Sequence, residues 1–207
     1  MELQILQVPP LGTNCYFIVD SGKVGIVDPG GSGDSIIRFI EDKSWHPESV
    51  LLTHGHFDHA GAAGQLKEYF GIPICIHRLD APMLENAKAS HAERFGFPYS
   101  GCTADRLLEE NDTFFVGDTV FSVLHTPGHT KGSSCFLSGD TMLSGDTLFF
   151  RSIGRFERRD KETMKKSIKR LLSMDEGVRV YPGHERDTTI GAEKKFNPFA
   201  NFDWEWE

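Results

Sequence analysis

Five apolar runs in this 207-residue chain each end on a short stretch of glycine, histidine and aspartate: "IVDPG" (26–30), "LLTHGH" (51–56), "LHTPGH" (124–129), "LSGDT" (143–147) and "VYPGH" (180–184). Short aliphatic runs bounded by Gly, Pro and Asp read as strands, and strand ends are where a rigid scaffold presents polar side chains. The repetition of this unit in both halves of the chain hints at two related halves. It calls for an α/β chain whose strand ends carry the chemistry.

The rest of the pattern supplies the elements. Strands read at 3–8, 15–20, 24–28, 49–53 and 72–77, with amphipathic helices at 34–42 and 60–70. Strands resume at 113–116, 119–126, 133–138, 141–145 and 178–182, with a helix at 160–174 between the last two. Residues 78–112 are less regular: one helix, then a Gly/Pro-interrupted aromatic loop that can cover a pocket. At 39% hydrophobic and 25% charged the composition is that of an ordered globular chain, and no linker or low-complexity stretch divides it. We read one α/β domain over 1–207.

A formal net charge of −8 leaves no electrostatic footprint for nucleic acid or an anionic membrane. No apolar run approaches the roughly 18 residues that span a bilayer. The start, "MELQILQVPPLG", lacks a basic leader and meets Pro9-Pro10 early, which points to a soluble, cytoplasmic protein. The four cysteines include no Cys-x-x-Cys pair and read as reduced thiols.

The densest unit, "THGHFDHAG", holds His54, His56, Asp58 and His59 within six positions. The first three alternate at i, i+2, i+4, so an extended segment would point them the same way; His59 would face a second centre once a helix begins. Imidazole and carboxylate together suit zinc, iron or manganese, and four such groups exceed what one ion takes from one loop. His129, Asp146 and His184 add three more from Gly-flanked loops after strands. Seven N/O ligands fit a pair of divalent ions sharing one carboxylate, with zinc the first choice.

The order T-H-x-H-x-D-H, P-G-H-T, S-G-D-x-L-F, P-G-H resembles the metallo-β-lactamase superfamily over nearly the whole chain, from "GTNCY" and "IVDPGG" to "TTIGAEKKFNPF". "FGFP", "SIGR" and "NPF" are most similar to its single-domain glyoxalase II-like hydrolases. The resemblance implies a four-layer αβ/βα sandwich with metals at one edge between two sheets. It implies that His54, His56 and His129 bind one metal, that Asp58, His59 and His184 bind the other, and that Asp146 bridges. Aspartate rather than cysteine at 146 argues against a dedicated β-lactamase. Arg155 in "SIGR" matches a basic residue that contacts glutathione, so it is the candidate anchor for an anionic substrate; Lys194 is a second candidate for that task.

The implied activity is hydrolysis of a small-molecule thioester, a hydroxyacylglutathione or related acyl-thiol, by a hydroxide held between two metals. Asp58 is suited to accept a hydrogen bond from the nucleophile. The stretch after His184 is too short for the helical domain with which full-length glyoxalase II grips glutathione, and "GRFERRD" carries Phe156-Glu157 where single-domain relatives place other residues. Rival readings are a mononuclear-iron persulfide dioxygenase-like oxidoreductase, a lactonase or phosphodiesterase, and a metal-containing interaction module docking through the acidic aromatic tail "NFDWEWE".

Outside this set, Asp28 and Thr53 read either as groups orienting a ligand imidazole or as ordinary turn residues. His46 reads as solvated, and His77 and His125 as structural. His91, Phe95, Phe97 and Tyr99 read as packing in their loop, with pocket lining the alternative. The basic run in 161–170 is the solvated face of its helix.

Overall fold

Alternating side chains in the first strands put apolar groups on both faces, which forces a sheet covered on both sides. The computed structural model describes residues 1–202 and 204. β1 (Glu2–Val8), β2 (Thr13–Asp20) and β3 (Lys23–Val27) form an antiparallel meander. The chain then turns parallel. It crosses by α1 (Gly33–Asp42) to β4 (His46–Leu52), and by α2 (Phe57–Ala60) and α3 (Ala63–Phe70) to β5 (Ile74–His77). A segment with a 3₁₀ turn (Ala81–Glu85) and α4 (Ala92–Phe95) leads to β6 (Arg106–Leu108), completing a six-stranded sheet in chain order.

The second sheet starts with the antiparallel strands β7 (Thr113–Val116), β8 (Thr119–His125), β9 (Ser134–Ser138) and β10 (Thr141–Gly145). The small hairpin β11 (Leu148–Phe149) and β12 (Ser152–Ile153) follows, then α5 (Lys161–Leu172). β13 (Arg179–Pro182) adds in parallel to β10, with β14 (Thr188–Thr189) outside it and α6 (Ile190–Phe196) beyond. The order is β14-β13-β10-β9-β8-β7.

The two-residue period of the strands sorts their side chains into three cores. From β2, Phe17 packs with Ile36, Ile40 and Leu66 under the helices α1 and α3, while its neighbours Tyr16 and Ile18 face the second sheet. In β4, Val50 and Leu52 go to the first core and Leu51 to the second. In β10, Leu143 meets Phe121, Val123 and Phe136 between the sheets, whereas Met142 meets Met164, Ile168 and Leu171 of α5. Helices, sheet, sheet, helix: the fold is a four-layer αβ/βα sandwich. Each fully buried Ile, Leu or Phe contributes about 1.5–3 kcal/mol of transfer free energy, so α1 and α3 are held by this face.

Three local features differ from the sequence expectation. The helix expected at 60–70 starts only at Ala63 as α3; a separate turn, α2, precedes it, and at Gly61 between them a Cβ would stand 2.3 Å from the carbonyl oxygen of Gly30. Residues 78–112 hold two short turns and β6 rather than one helix, interrupted by left-handed backbone at His91 (φ 67°) and Gly96 (φ 62°). β11, β12, β14 and α6 lie outside the elements read from the pattern; two-residue strands are too short to show a period, although Thr189 caps α6 by accepting from the Ala192 N–H at 3.1 Å. Among the described residues no helix is long and apolar enough to cross a membrane.

Candidate metal centre

β3 and β4 run parallel in one sheet, and β8, β10 and β13 point together in the other, so the loops after all five strands meet at one edge. The loop after β4 leaves in extended form through His56 (φ −70°, ψ 149°), and α2 starts at Phe57. The extended alternation therefore covers His54 and His56 only; Asp58 and His59 sit in the first helical turn and face a second group of residues. His129, Asp146 and His184 arrive from β8, β10 and β13.

All seven side chains come together. Ligand-type atoms of His54, His56 and His129 lie within 4.8 Å of one another, as do those of Asp58, His59 and His184. Asp146 stands between the two groups: its Oδ1 is 3.3 Å from His59 Nε2, and its Oδ2 is 3.5 Å from His129 Nε2 and 3.7 Å from His184 Nε2. His56 Nδ1 and His129 Nε2 approach to 2.9 Å, and His59 Nε2 and His184 Nε2 to 3.3 Å. The buried His54 Nε2 and Asp146 Oδ1 have no hydrogen-bond partner. Orphaned buried polar atoms are costly, and here both belong to groups whose nitrogen and oxygen donors suit a divalent ion. The residues present fit such a pair of ions.

The electrostatics favour that fit at His54 and His56. Burial, reinforced by repulsion from His59 and His129, holds His54 well below the usual imidazole range. Burial and then His129 push His56 down to about 3. Both rings are thus neutral, with a lone pair to offer. His59 goes the other way: burial opposes its charge, but Asp146, Asp58 and Asp28 outweigh it and raise the ring well above the ordinary value. Burial alone would raise the Asp146 and Asp58 carboxyls, yet His59 above all keeps both ionised.

A second tier of residues aims these rings. Asp28, in left-handed backbone (φ 52°), accepts the Thr53 N–H at 2.8 Å and the Thr53 hydroxyl at 2.6 Å, and its Oδ2 lies 3.0 Å from His59 Nδ1. Thr53 Oγ1 stands 3.2 Å from His54 Nδ1. These two residues orient ligand-type imidazoles; they are more than turn formers. The Arg155 carbonyl oxygen lies 2.7 Å from His129 Nδ1. Gly183 is required by close approach, since a Cβ there would sit 2.3 Å from Asp146 Oδ1 and 2.6 Å from His59 Cε1.

Sequence reasoning missed Asp80, Asn14 and Tyr16. The buried Asp80 carboxylate accepts from the Gly55 N–H (3.1 Å), the Thr130 hydroxyl (2.6 Å) and the Gly132 N–H (2.7 Å), tying the His54–His56 loop to the His129 loop. Asn14 Nδ2 donates to the carbonyls of Pro182 (3.0 Å) and Glu185 (2.8 Å), and the Tyr16 hydroxyl donates to that of Pro182 (2.8 Å), clamping the His184 loop to β2. An asparagine inside an otherwise apolar strand was the one available signal; nothing marked Asp80.

The remaining candidates divide. His91 stacks on His56 at 4.5 Å and so borders the centre. Phe95 and Phe97 pack on Phe57 of α2 at 5.3 and 5.2 Å, fastening their segment to the metal-type loop. His77 and His125 stack on each other at 4.1 Å and join none of the ligand groups, and His46 is exposed, as expected. The Arg155 side chain is exposed. Lys194 is engaged by the Met174 carbonyl and Glu176, beside α5, and is not brought to the centre. In the tail, Trp204 is buried against Phe156, Phe199 and Phe202; Asp203 and residues 205–207 lie outside the described set.

Comparison with known proteins gives this geometry its family. The model of the metallo-β-lactamase superfamily matches residues 8–184. The chain belongs to that superfamily. Within it, the chain is 38% identical to the hydroxyacylglutathione hydrolase GloC of Haemophilus influenzae, over 97% of this chain and 99% of that protein. Among solved structures it is similar to the B3 metallo-β-lactamase BLEG-1 (TM-score 0.90, 34% identity, 96% of this chain and 99% of that one). It is also similar to TTHA1623, solved in a di-iron-bound form (TM-score 0.87, 35% identity, 95% and 99%). The superfamily binds divalent metals, and this member carries His/Asp clusters that could hold such ions.

Proposed function

We propose that this superfamily member is a metal-dependent thioesterase acting on hydroxyacylglutathione or a related acyl-thiol. His54, His56 and His129 would hold one divalent ion and Asp58, His59 and His184 the other, with Asp146 shared and zinc the first candidate metal. The observation that carries the reading is the placement of Asp146 between two three-residue groups, each with ligand atoms within 4.8 Å. A single-ion site would leave one group of buried donors unused. The 38%-identical GloC, of nearly the same length, supports the substrate class.

When bound, a pair of divalent ions supplies Lewis acidity that polarises a carbonyl and acidifies water. The protein's own contribution is positioning and proton handling. Asp58 Oδ2 lies 3.3 Å from His184 Nε2 and 3.6 Å from His59 Nε2, so the carboxylate sits among the ligand atoms, ionised and placed to accept a hydrogen bond from the attacking water. A thiolate leaves readily without a strong general acid, which suits a site whose imidazoles serve as ligands. His91 of the 78–112 segment, stacked on His56, would line the site, and the exposed Arg155, whose backbone touches His129, would meet an anionic group of the thiol portion.

The experiment is metal analysis of the purified protein together with initial rates on thioesters, lactones, phosphodiesters and β-lactams, the last included because BLEG-1 carries that activity in its name. Two equivalents of metal and the highest kcat/KM on an anionic thioester are expected. Preference for a β-lactam, or oxygen uptake with a persulfide at one iron per chain, would overturn the assignment.

A further inference from the structure

Where the chain leaves the His184 loop, three cationic side chains gather around two phenyl rings. The guanidinium of Arg186 lies 3.6 Å over the ring of Phe150, and that of Arg151 lies 5.1 Å from the same ring. Arg151 also stands 5.2 Å over Phe196, a 51% exposed ring that Lys195 Nζ approaches to 5.0 Å. Some cations of this chain take acidic partners, such as Arg170 with Glu110 at 2.6 Å, Arg78 with Glu109 at 2.6 Å and Lys67 with Asp105 at 2.7 Å. Among the described residues Arg151, Arg186 and Lys195 have no ion pair.

Its position ties it to the centre. Arg186 follows His184 by two residues, and the Phe149 ring meets the His184 ring edge-on at 6.1 Å. The Arg151 N–H donates to Glu193 Oε2 at 2.9 Å, seating the turn on α6. The stack is joined to the Asp58–His59–His184 group through its chain neighbours Phe149 and His184, whereas Arg155 touches the other group through His129. An arginine stacked on a ring uses its flat face and keeps its in-plane N–H fork free. That fork grips a carboxylate or phosphate in bidentate fashion. Holding the side chain against the ring beforehand reduces the ordering cost of binding.

The geometry points to an anion subsite built from Phe150, Arg151 and Arg186, which receives a second negative group of the substrate's thiol portion on the His184 side. The inference rests on the acyl-thiol reading and adds that the preferred thiol is at least doubly anionic. The shared chemistry is an oxyanion; carboxylates of a peptide thiol and phosphates of a nucleotide thiol both offer it.

The test is calorimetric affinity of the metal-loaded protein for three inert thioethers: S-hexylglutathione (two carboxylates), S-hexyl-coenzyme A (phosphates) and N-acetyl-S-hexylcysteamine (neutral). At least one anionic probe should bind tenfold or more tighter than the neutral one, and which it is identifies the source. Arg186→Met and Arg151→Met, both surface changes, should each remove about tenfold of that affinity, the scale of a charge-assisted hydrogen bond. Arg186→Lys should recover only part. Arg38→Gln, on the exposed face of α1, should change nothing. Equal binding of all three probes overturns the subsite, and so does a preference that survives the Arg151→Met/Arg186→Met double variant or vanishes only in Arg155→Ala. If no thioester is hydrolysed while anion binding still depends on Arg151 and Arg186, the subsite stands and the thioesterase reading falls.

Discussion

Asp28→Asn exchanges one oxygen for NH₂ at a buried carboxylate with three partners, and it has no harmless orientation. With the amide NH₂ toward Thr53 N–H, two donors oppose each other across what is a 2.8 Å hydrogen bond in the native protein. An unsatisfied buried N–H costs about 1–3 kcal/mol. With NH₂ toward His59 Nδ1 (3.0 Å in the native protein), that nitrogen must accept, so the ring proton moves to Nε2. Nε2 is the atom facing Asp146 and His184, and once protonated it cannot ligate. Loss of such an orienting partner lowers metal affinity about 10–100-fold, or about 1.4–2.7 kcal/mol. The assay is chelator-competition titration of the metal-free protein with Zn²⁺. One of the two sites should weaken by that factor, and the other, served by Asp28 only through Thr53 and His54, should weaken less. Two sites of native affinity in the Asn variant would refute the orienting role.

Three further outcomes follow from the same geometry. Asp146→Asn removes charge shared by both groups, so metal content and turnover should fall together; native stoichiometry by elemental analysis would take Asp146 out of the ligand set. His129→Ala and His184→Ala should each lose one tight site while the chain still folds, because both residues sit in loops after strands; retention of two metals per chain in both variants would overturn the division into groups. His77 is pushed down to about 4 by burial and, secondarily, by His125, against an ordinary value near 6.5. The unfolded chain then binds the proton first, so the contribution is intact above pH about 6.5 and lost as pH falls toward 4. His77→Phe should flatten the acid limb of Tm against pH over that window; an unchanged limb would show that His77 is not its source.

The seven candidate ligands were legible as candidates because His56, His129, Asp146 and His184 each follow an apolar strand and a glycine, and His54, Asp58 and His59 crowd around the first of these. Such units are hard to produce by chance packing, and strand periodicity supplied most of the elements around them. The sequence also announced the family through the order of its motifs, and with it the four layers. What it left open was pairing across distance. Asp80 reaches Thr130 and Gly132 some fifty residues away, Asn14 and Tyr16 hold a loop near the other end of the chain, and Arg151 and Arg186 find one phenyl ring. A one-dimensional pattern records which residue follows which strand; a hydrogen bond or stack between distant segments exists only once two sheets have packed. For that reason Asp28 could be read as turn or orienter with equal right until the structure set its Oδ2 3.0 Å from His59 Nδ1. Lys194 kept its place as a possible anchor until α6 laid it against the Met174 carbonyl. The sequence by itself determined the kind of chemistry, and tertiary packing decided which atoms face one another.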